Sequence, residues 1–134
     1  MKLVVDTNVL FSYFNKKSKT IELLTNQNMQ LFSPKYTIKE LKKYKEDIKK
    51  KFSISEKSFK EILRDLNNVI NFIDEEDYRK ETSKINEITI DEKDKDFLAL
   101  SIKLDCPLWS NDKLLKLQEK STVLNTFEVA ELIL

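Results

Sequence analysis

Short, wholly apolar runs take turns along this chain with longer stretches in which apolar residues recur every three or four positions. Leu3-Val4-Val5 is too brief and too uniformly apolar for a helix face, and predicts a buried strand over residues 2–5. Val9 opens a helix running to residue 14, and a second helix follows over 19–26. Residues 29–33, around Leu31-Phe32, predict another strand, which Pro34 ends before a helix over 37–51. Phe59, Ile62, Leu63, Leu66 and Ile70 recur at helical spacing and predict a helix over 55–70, after which Asn71-Phe72-Ile73 reads as a third strand. A polar helix over 76–86 and a more apolar, largely buried one over 93–104 come next. The chain closes with a strand over 107–110, a short helix over 113–118, a strand over 122–124 and a helix over 127–133. Strands separated by helices require crossover connections, which predicts an α/β fold with a mostly parallel sheet of about four to five strands and helices on both faces.

Composition narrows this picture. A chain of 134 residues is expected to form one domain, 1–134, that buries about two-thirds of its unfolded surface and needs no disulfide. With two prolines, no glycine and no repeat, low-complexity tract or linker, its turns must be made from Asn, Asp, Ser and Lys. Cys106 has no second cysteine to pair with, and the absence of histidine excludes a cysteine–histidine zinc site. No apolar stretch approaches the roughly 20 residues of a membrane span, and the acid at position 6 arrives too early for a signal peptide. A soluble, cytoplasmic protein with no membrane association is the expectation.

The net charge of +1 hides an asymmetry. Between Lys35 and Arg64 lie eleven basic and five acidic residues; between Asp74 and Asp96 lie five basic and ten acidic ones. One region can attract a polyanion while another gathers cations, a pattern suited to a metal-dependent enzyme acting on nucleic acid. Solvated lysine-rich helix faces would look the same. Lys42, Lys43, Lys49, Lys50 and Lys51 are the candidate phosphate contacts.

Four acids decide between these readings. Asp6 follows the first apolar run, Glu40 lies on the first turn of the helix after the second, Asp94 lies beyond Ile88-Thr89-Ile90, and Asp112 follows Leu108-Trp109. In an open parallel sheet ligands bind outside the carboxyl ends of the strands, where such acids would converge. Carboxylates without imidazole favour a hard cation, Mg2+ or Mn2+, whose bound water can attack a phosphodiester. Carboxylates brought within about 5 Å would repel by roughly 3 kcal/mol per pair, a strain that a cation relieves. Each acid is also a candidate helix cap, with Glu40 closing a Thr37-Ile38-Lys39-Glu40 capping box. Capping explains each acid singly but not their shared place after strands.

These segments resemble the PIN-domain ribonucleases, the family that includes the VapC-type toxins. Val4-Val5-Asp6-Thr7-Asn8-Val9-Leu10 is similar to the family's opening strand and first catalytic aspartate, and Tyr36-Thr37-Ile38-Lys39-Glu40-Leu41 to the segment carrying its glutamate. Asp91-Glu92-Lys93-Asp94-Lys95-Asp96-Phe97-Leu98-Ala99-Leu100 resembles the third motif, and Pro107-Leu108-Trp109-Ser110-Asn111-Asp112 the fourth. Val123-Leu124-Asn125-Thr126-Phe127-Glu128 fits its last strand and helix, so the likeness spans nearly the whole chain. Where the family often has glycine before the fourth strand, this chain has Asp105-Cys106, which puts Asp105 in a left-handed turn.

The resemblance implies a PIN-like three-layer α/β/α fold and Mg2+- or Mn2+-dependent endoribonuclease activity leaving a 5′-phosphate. Its catalytic and metal-binding residues would be Asp6, Glu40, Asp94 and Asp112, supported by Asn8 and Ser110. Asp94 best matches the family spacing, Asp96 is the fallback and Asp91 the candidate helix cap. An antitoxin protein and a homodimer are the partners it implies besides the RNA substrate. A non-toxin nuclease of RNA processing or decay, and a nucleic-acid-binding protein of weak activity, share the same pattern. A phosphatase with Asp6 as nucleophile is disfavoured, because the second aspartate such enzymes carry two positions on is Asn8 here. Trp109 is expected in the core rather than stacked on a base.

Overall fold

A computed structural model describes residues 1–85 and 92–133 of the chain. Its centre is strand β1 (Lys2–Val5), in which Leu3, Val4 and Val5 are all fully buried. Three consecutive buried residues, rather than an alternation, mean that both faces of the strand are covered, as parallel sheets require. β1 pairs in parallel with β2 (Gln30–Pro34) on one side and with β4 (Leu108–Trp109) on the other. β3 (Ile70–Ile73) adds to β2, and β5 (Val123–Leu124) to β4, giving the all-parallel order β3-β2-β1-β4-β5. The chain builds outward from β1 on one side and then returns to build the other. The carboxyl ends of β1 and β4 therefore flank the point where the direction of winding reverses, the place where such sheets bind ligands.

Two cores fill the two faces. Leu3 and Val5 project into one cluster with residues of α1 (Thr7–Phe11), α2 (Thr20–Leu24), α3 (Tyr36–Lys43), α4 (Lys45–Phe52) and α5 (Glu56–Val69). Val4 projects into the other, with Tyr78 beside α6 (Arg79–Thr82), Phe97, Leu98 and Leu100 of α7 (Glu92–Leu104), and Leu115 of α8 (Lys113–Lys116). α9 (Thr126–Ile133) returns to the first face through Val129. This is the expected three-layer α/β/α arrangement, with five strands all parallel. Among the described residues no helix is long and apolar enough to cross a membrane.

Four sequence expectations need correction. The helix expected over 37–51 is two, broken at Tyr44 (φ −96°, ψ 16°), where the tyrosine ring packs edge-on against Phe11 while Ile48 turns into the core. The polar helix expected over 76–86 is only a 3-10 turn, Glu75–Asp77, followed by the four residues of α6. Adjacent like charges from Asp74 to Asp77 and few apolar positions leave little to hold a longer helix there. Residue 86, the last of that expected helix, lies outside the described residues. β2 ends at Pro34 as expected, but the proline belongs to the strand as its last rung opposite Ile73, with Lys35 N–H donating to Ile73 C=O at 2.8 Å. A strand end tolerates a residue without N–H. The helix expected from residue 9 begins at Thr7 and ends in a 3-10 turn, Ser12–Phe14.

Without glycine, α4 and α7 end on residues forced into the left-handed region: Ser53 and Asp105, both at φ 51°. The next amide in each case reaches back five residues, Ile54 N–H to Lys49 C=O at 3.0 Å and Cys106 N–H to Ser101 C=O at 3.1 Å. These are Schellman closures made with a Cβ in place, at a cost of about 1 kcal/mol each. Ser53→Gly, at an exposed position, is expected to raise the melting temperature by roughly 3 °C. An unchanged or lower melting temperature would show that the serine is not strained.

Candidate active site at the sheet switch point

Asp6 is the first residue past β1. Its N–H donates to Trp109 C=O at 3.0 Å, extending the β1–β4 ladder by one rung and fixing the carboxyl at the mouth of the switch point. The side chain is only 6% exposed. Asp6 occupies the residue before α1 and feels its first amides, but it makes no full side-chain capping hydrogen bond there. Its Oδ2 instead accepts from Ser110 Oγ at 2.6 Å, and the serine oxygen accepts in turn from Asp112 N–H at 3.1 Å. One hydroxyl thus couples the ends of β1 and β4.

Asp112 is a true cap. Its Oδ1 accepts from Leu114 N–H at 2.8 Å and Leu115 N–H at 3.3 Å at the start of α8. That pins the carboxylate beside Asp6, where its charge is felt: burial first and then Asp112 push the Asp6 pKa up, opposed by the Ser110 hydroxyl and the amides of Asn8 and Thr7. Trp109, fully buried between these acids in sequence, is a core residue whose Nε1 donates to Thr126 Oγ1 at 3.0 Å.

Glu40 arrives from α3, and the helix is tied to Asp6 by a buried relay. Ser33 Oγ, at the end of β2, donates to Val5 C=O at 3.0 Å and lies 3.1 Å from Thr37 Oγ1. Ser33 has one proton and uses it on Val5, so Thr37 donates to Ser33. Both residues are fully buried. The expected capping box is absent: α3 starts at Tyr36 with Lys35 before it, so Thr37 sits inside the helix and faces the sheet rather than capping. Asp94 lies on the first turn of α7.

Asp6, Thr7, Asn8, Glu40 and Asp94 line one open cleft of about 360 Å3, together with Phe11, Tyr36, Tyr44 and Phe97. Asp112 is not in its wall and reaches the site through Ser110 and through its effect on Asp6. Asp96 faces a different hollow, shared with Tyr36, Glu75, Tyr78 and Glu92, and accepts from the buried Tyr78 hydroxyl at 2.7 Å. Burial raises its pKa, Tyr78 opposes the rise, and Glu75 and Glu92 add to it. Asp91 lies outside the described residues. Among the described residues no three acid or thiol groups stand close enough together to hold a metal ion as placed, so the acids share a cleft and do not form the tight cluster expected near 5 Å. The donors around the cleft are nonetheless all oxygen, and the buried Thr7 Oγ1 has no hydrogen-bond partner. That set suits a hard cation that keeps part of its water shell.

The candidate lysines divide. Lys42 and Lys43 are exposed at the end of α3, with Lys43 Nζ over the Tyr44 ring at 5.6 Å. Lys49, Lys50 and Lys51 lie in the last turn of α4, where they complement the helix dipole; Lys49 also pairs with Glu46 at 3.5 Å, and Lys51 Nζ lies over the Phe52 ring. Sequence reasoning missed Ser33 and Thr37, and the aromatic walls Phe11, Tyr36 and Tyr44. The signal for the tyrosines was available in their positions four residues before and after Glu40.

Comparison with known proteins agrees with this layout. The PIN domain family model matches residues 4–128. A chain in the crystal structure of VapBC2 from Rickettsia felis, bound to a DNA fragment from their promoter, superposes with a TM-score of 0.63 over 93% of this chain and 98% of that one, at 19% identity. No curated protein matches.

Two outcomes follow from this geometry. Because folding raises the Asp6 pKa, the folded state holds its proton more tightly than the unfolded chain. That contribution to stability is present at low pH and is lost as pH rises through the raised value. In chelator, Asp6→Asn should therefore melt higher than wild type at neutral pH, with the gap closing on acidification; a constant gap would contradict the burial account. Ser33→Ala leaves the buried Thr37 hydroxyl without its acceptor and should cost about 1–3 kcal/mol in urea unfolding. A loss within error of zero would remove the relay from the account.

Proposed function

Since this chain belongs to the PIN domain family, we propose that it is a metal-dependent endoribonuclease, a single nuclease domain over residues 1–134 that hydrolyses RNA phosphodiester bonds. The observation that carries the reading is the cleft at the sheet switch point, where Asp6, Glu40 and Asp94 arrive from three separate elements with Asp112 linked to Asp6 through Ser110. Separate structural roles for these acids would not bring them to one place.

Asp6, Glu40, Asp94 and Asp112 would hold Mg2+ or Mn2+. When bound, the cation supplies an acidified water and neutralises charge on the phosphate. The chain does the rest. Ser110 holds Asp6 Oδ2 toward β4 and, with Asp112 capped onto α8, keeps two carboxylates from relaxing apart. The Ser33–Thr37 relay holds Glu40's helix against the end of β1. Asn8, exposed at the rim, is placed to steady the Asp6 side of the cleft. Asp96, engaged by Tyr78 in the neighbouring hollow, is left out of this set. The lysines of α3 and α4 would offer phosphate contacts, with Lys43 beside Tyr44 of the cleft wall.

The toxin reading, with an antitoxin or a second copy of the chain as partner, has its own support. Leu114 on α8, Leu117 just past its end and Phe127 on α9 are 79%, 77% and 70% exposed, apolar surface that a partner would cover. The two helices are joined by the Lys116–Glu128 ion pair, and α8 begins at Asp112, so a partner seated there would stand beside the cleft. A non-toxin nuclease of RNA processing remains the second reading, because the same cleft serves both. A cytoplasmic location accords with either.

Mixed RNA incubated with Mg2+, Mn2+ or chelator should be cut only with metal, and Asp6→Asn or Asp94→Asn should lower the rate by at least about a hundredfold. Undiminished cutting by either variant would sink the mechanism. Millimolar Mg2+ or Mn2+ should also raise the melting temperature, by less as the pH falls, since protons compete for the same carboxylates.

A further inference from the structure

Tyr36 and Glu40 of α3 and Tyr44, the residue that closes it with N–H to Glu40 C=O at 3.1 Å, follow one another four residues apart along one side, and all three line the cleft. Residues four apart share a helix face, with about 6 Å of axial rise between them. The candidate catalytic glutamate is thus bracketed along the helix by two aromatic rings. Each ring is braced by another on a different element: Tyr44 edge-on against Phe11 of α1 at 6.5 Å and 86°, Tyr36 against Phe97 of α7 at 5.9 Å and 61°. An aromatic ring so braced loses little freedom when a ligand packs on it. Both tyrosines pack against a core cluster with part of the ring left open to the cleft. The Lys43 ammonium lies over the Tyr44 ring at 5.6 Å, so a base taking that face would displace a mobile surface cation that can then turn to the nucleotide's phosphate.

We propose that Tyr36 and Tyr44 are nucleobase platforms, each stacking the base of one of the two nucleotides that flank the scissile phosphate, so that Glu40 faces the phosphate between them. The proposal rests on the nuclease reading above and deepens it. Base–aromatic stacking tolerates every base, so these platforms select for bases that are free to unstack, and pairing within a duplex withdraws them. They position the substrate; the chemistry belongs to the carboxylates.

The test removes the base and the ring in turn. Short ribo-oligonucleotides with one cleavage site are made intact, abasic on the 5′ side of that site, or abasic on the 3′ side, and KM and kcat are measured with Mn2+ for wild type, Tyr44→Leu, Tyr44→Phe, Tyr36→Leu and Tyr36→Phe. For wild type each abasic substrate should raise KM about tenfold. Tyr44→Leu should lose the penalty on one side only and Tyr36→Leu on the other, while the phenylalanine variants keep both. A purely structural role would weaken all three substrates alike, and equal abasic penalties in wild type and leucine variants would overturn the proposal. Should Tyr36→Leu not fold, Tyr44→Leu alone decides, because its ring lies at the end of the helix. If wild type cuts no RNA under any metal, the nuclease reading fails separately. The platforms are then judged by quenching of 2-aminopurine oligonucleotides, which Tyr44→Leu should abolish; unchanged quenching would end the proposal.

Discussion

A carboxyl group held almost out of water at the end of the central strand sets the terms for the rest of this molecule. Asp6 follows three fully buried residues of β1 and is itself 6% exposed. Desolvation raises its pKa, and the neighbouring charge of Asp112 adds to the rise. A lone buried carboxylate is costly unless hydrogen-bonded or paired with a cation. Here the compensation within the chain is partial: one short bond from Ser110 and the field of two amides at the start of α1. The remaining cost is retained in the folded state, where a divalent cation or a proton can relieve it.

Much of the architecture can be understood as what holds that group in place. The strand order brings β4 beside β1 only after the chain has crossed the sheet, so Ser110 and Asp112 meet Asp6 across 104 and 106 residues of sequence. The covering helices keep both faces of β1 dry. On the other flank, the Ser33–Thr37 relay fixes α3 to the carbonyl of Val5, one residue before Asp6. The Ser33–Thr37 relay contains no charged group, so it holds geometry without adding to the repulsion among acids. The same helix α3 then presents Glu40 between two tyrosines, which joins the position of a carboxylate to the shape of the cleft around it.

How far this was legible beforehand varied with the kind of signal. Strands buried on both faces announce themselves as unbroken apolar runs, and β1, β2 and β5 fall within a residue or so of the expected bounds. Ile70 was assigned to a helix because it keeps the 3.6-residue period of α5, yet β2 captures it as the first residue of β3. Asp105 was readable in a turn needing positive φ, whereas Ser53 was not, because nothing local marks the end of α4 once Tyr44 has broken the helix. Among the acids, order along the chain and position after strands singled out Asp6, Glu40 and Asp94, which line one cleft, and Asp112, which meets Asp6 only through Ser110. Family spacing favoured Asp94 over Asp96, and the physical reason appears only in three dimensions: two residues along α7, about 200° of turn, point Asp96 toward Tyr78 and away from the cleft. Thr37 misled as a cap because its partner, Ser33, is supplied by the strand before the helix and not by the helix itself.

The central claim is that four carboxylates from separate elements form one cation site while Asp96 serves the core. Titration of Mn2+ into the protein, followed by electron paramagnetic resonance, addresses it without reference to any substrate. The account predicts that Asp6→Asn, Glu40→Gln, Asp94→Asn and Asp112→Asn each weaken Mn2+ binding, with Asp6→Asn among the most damaging, and that Asp96→Asn binds as wild type does. Equal Mn2+ affinity in wild type and all four cleft variants, or a loss confined to Asp96→Asn, would contradict it.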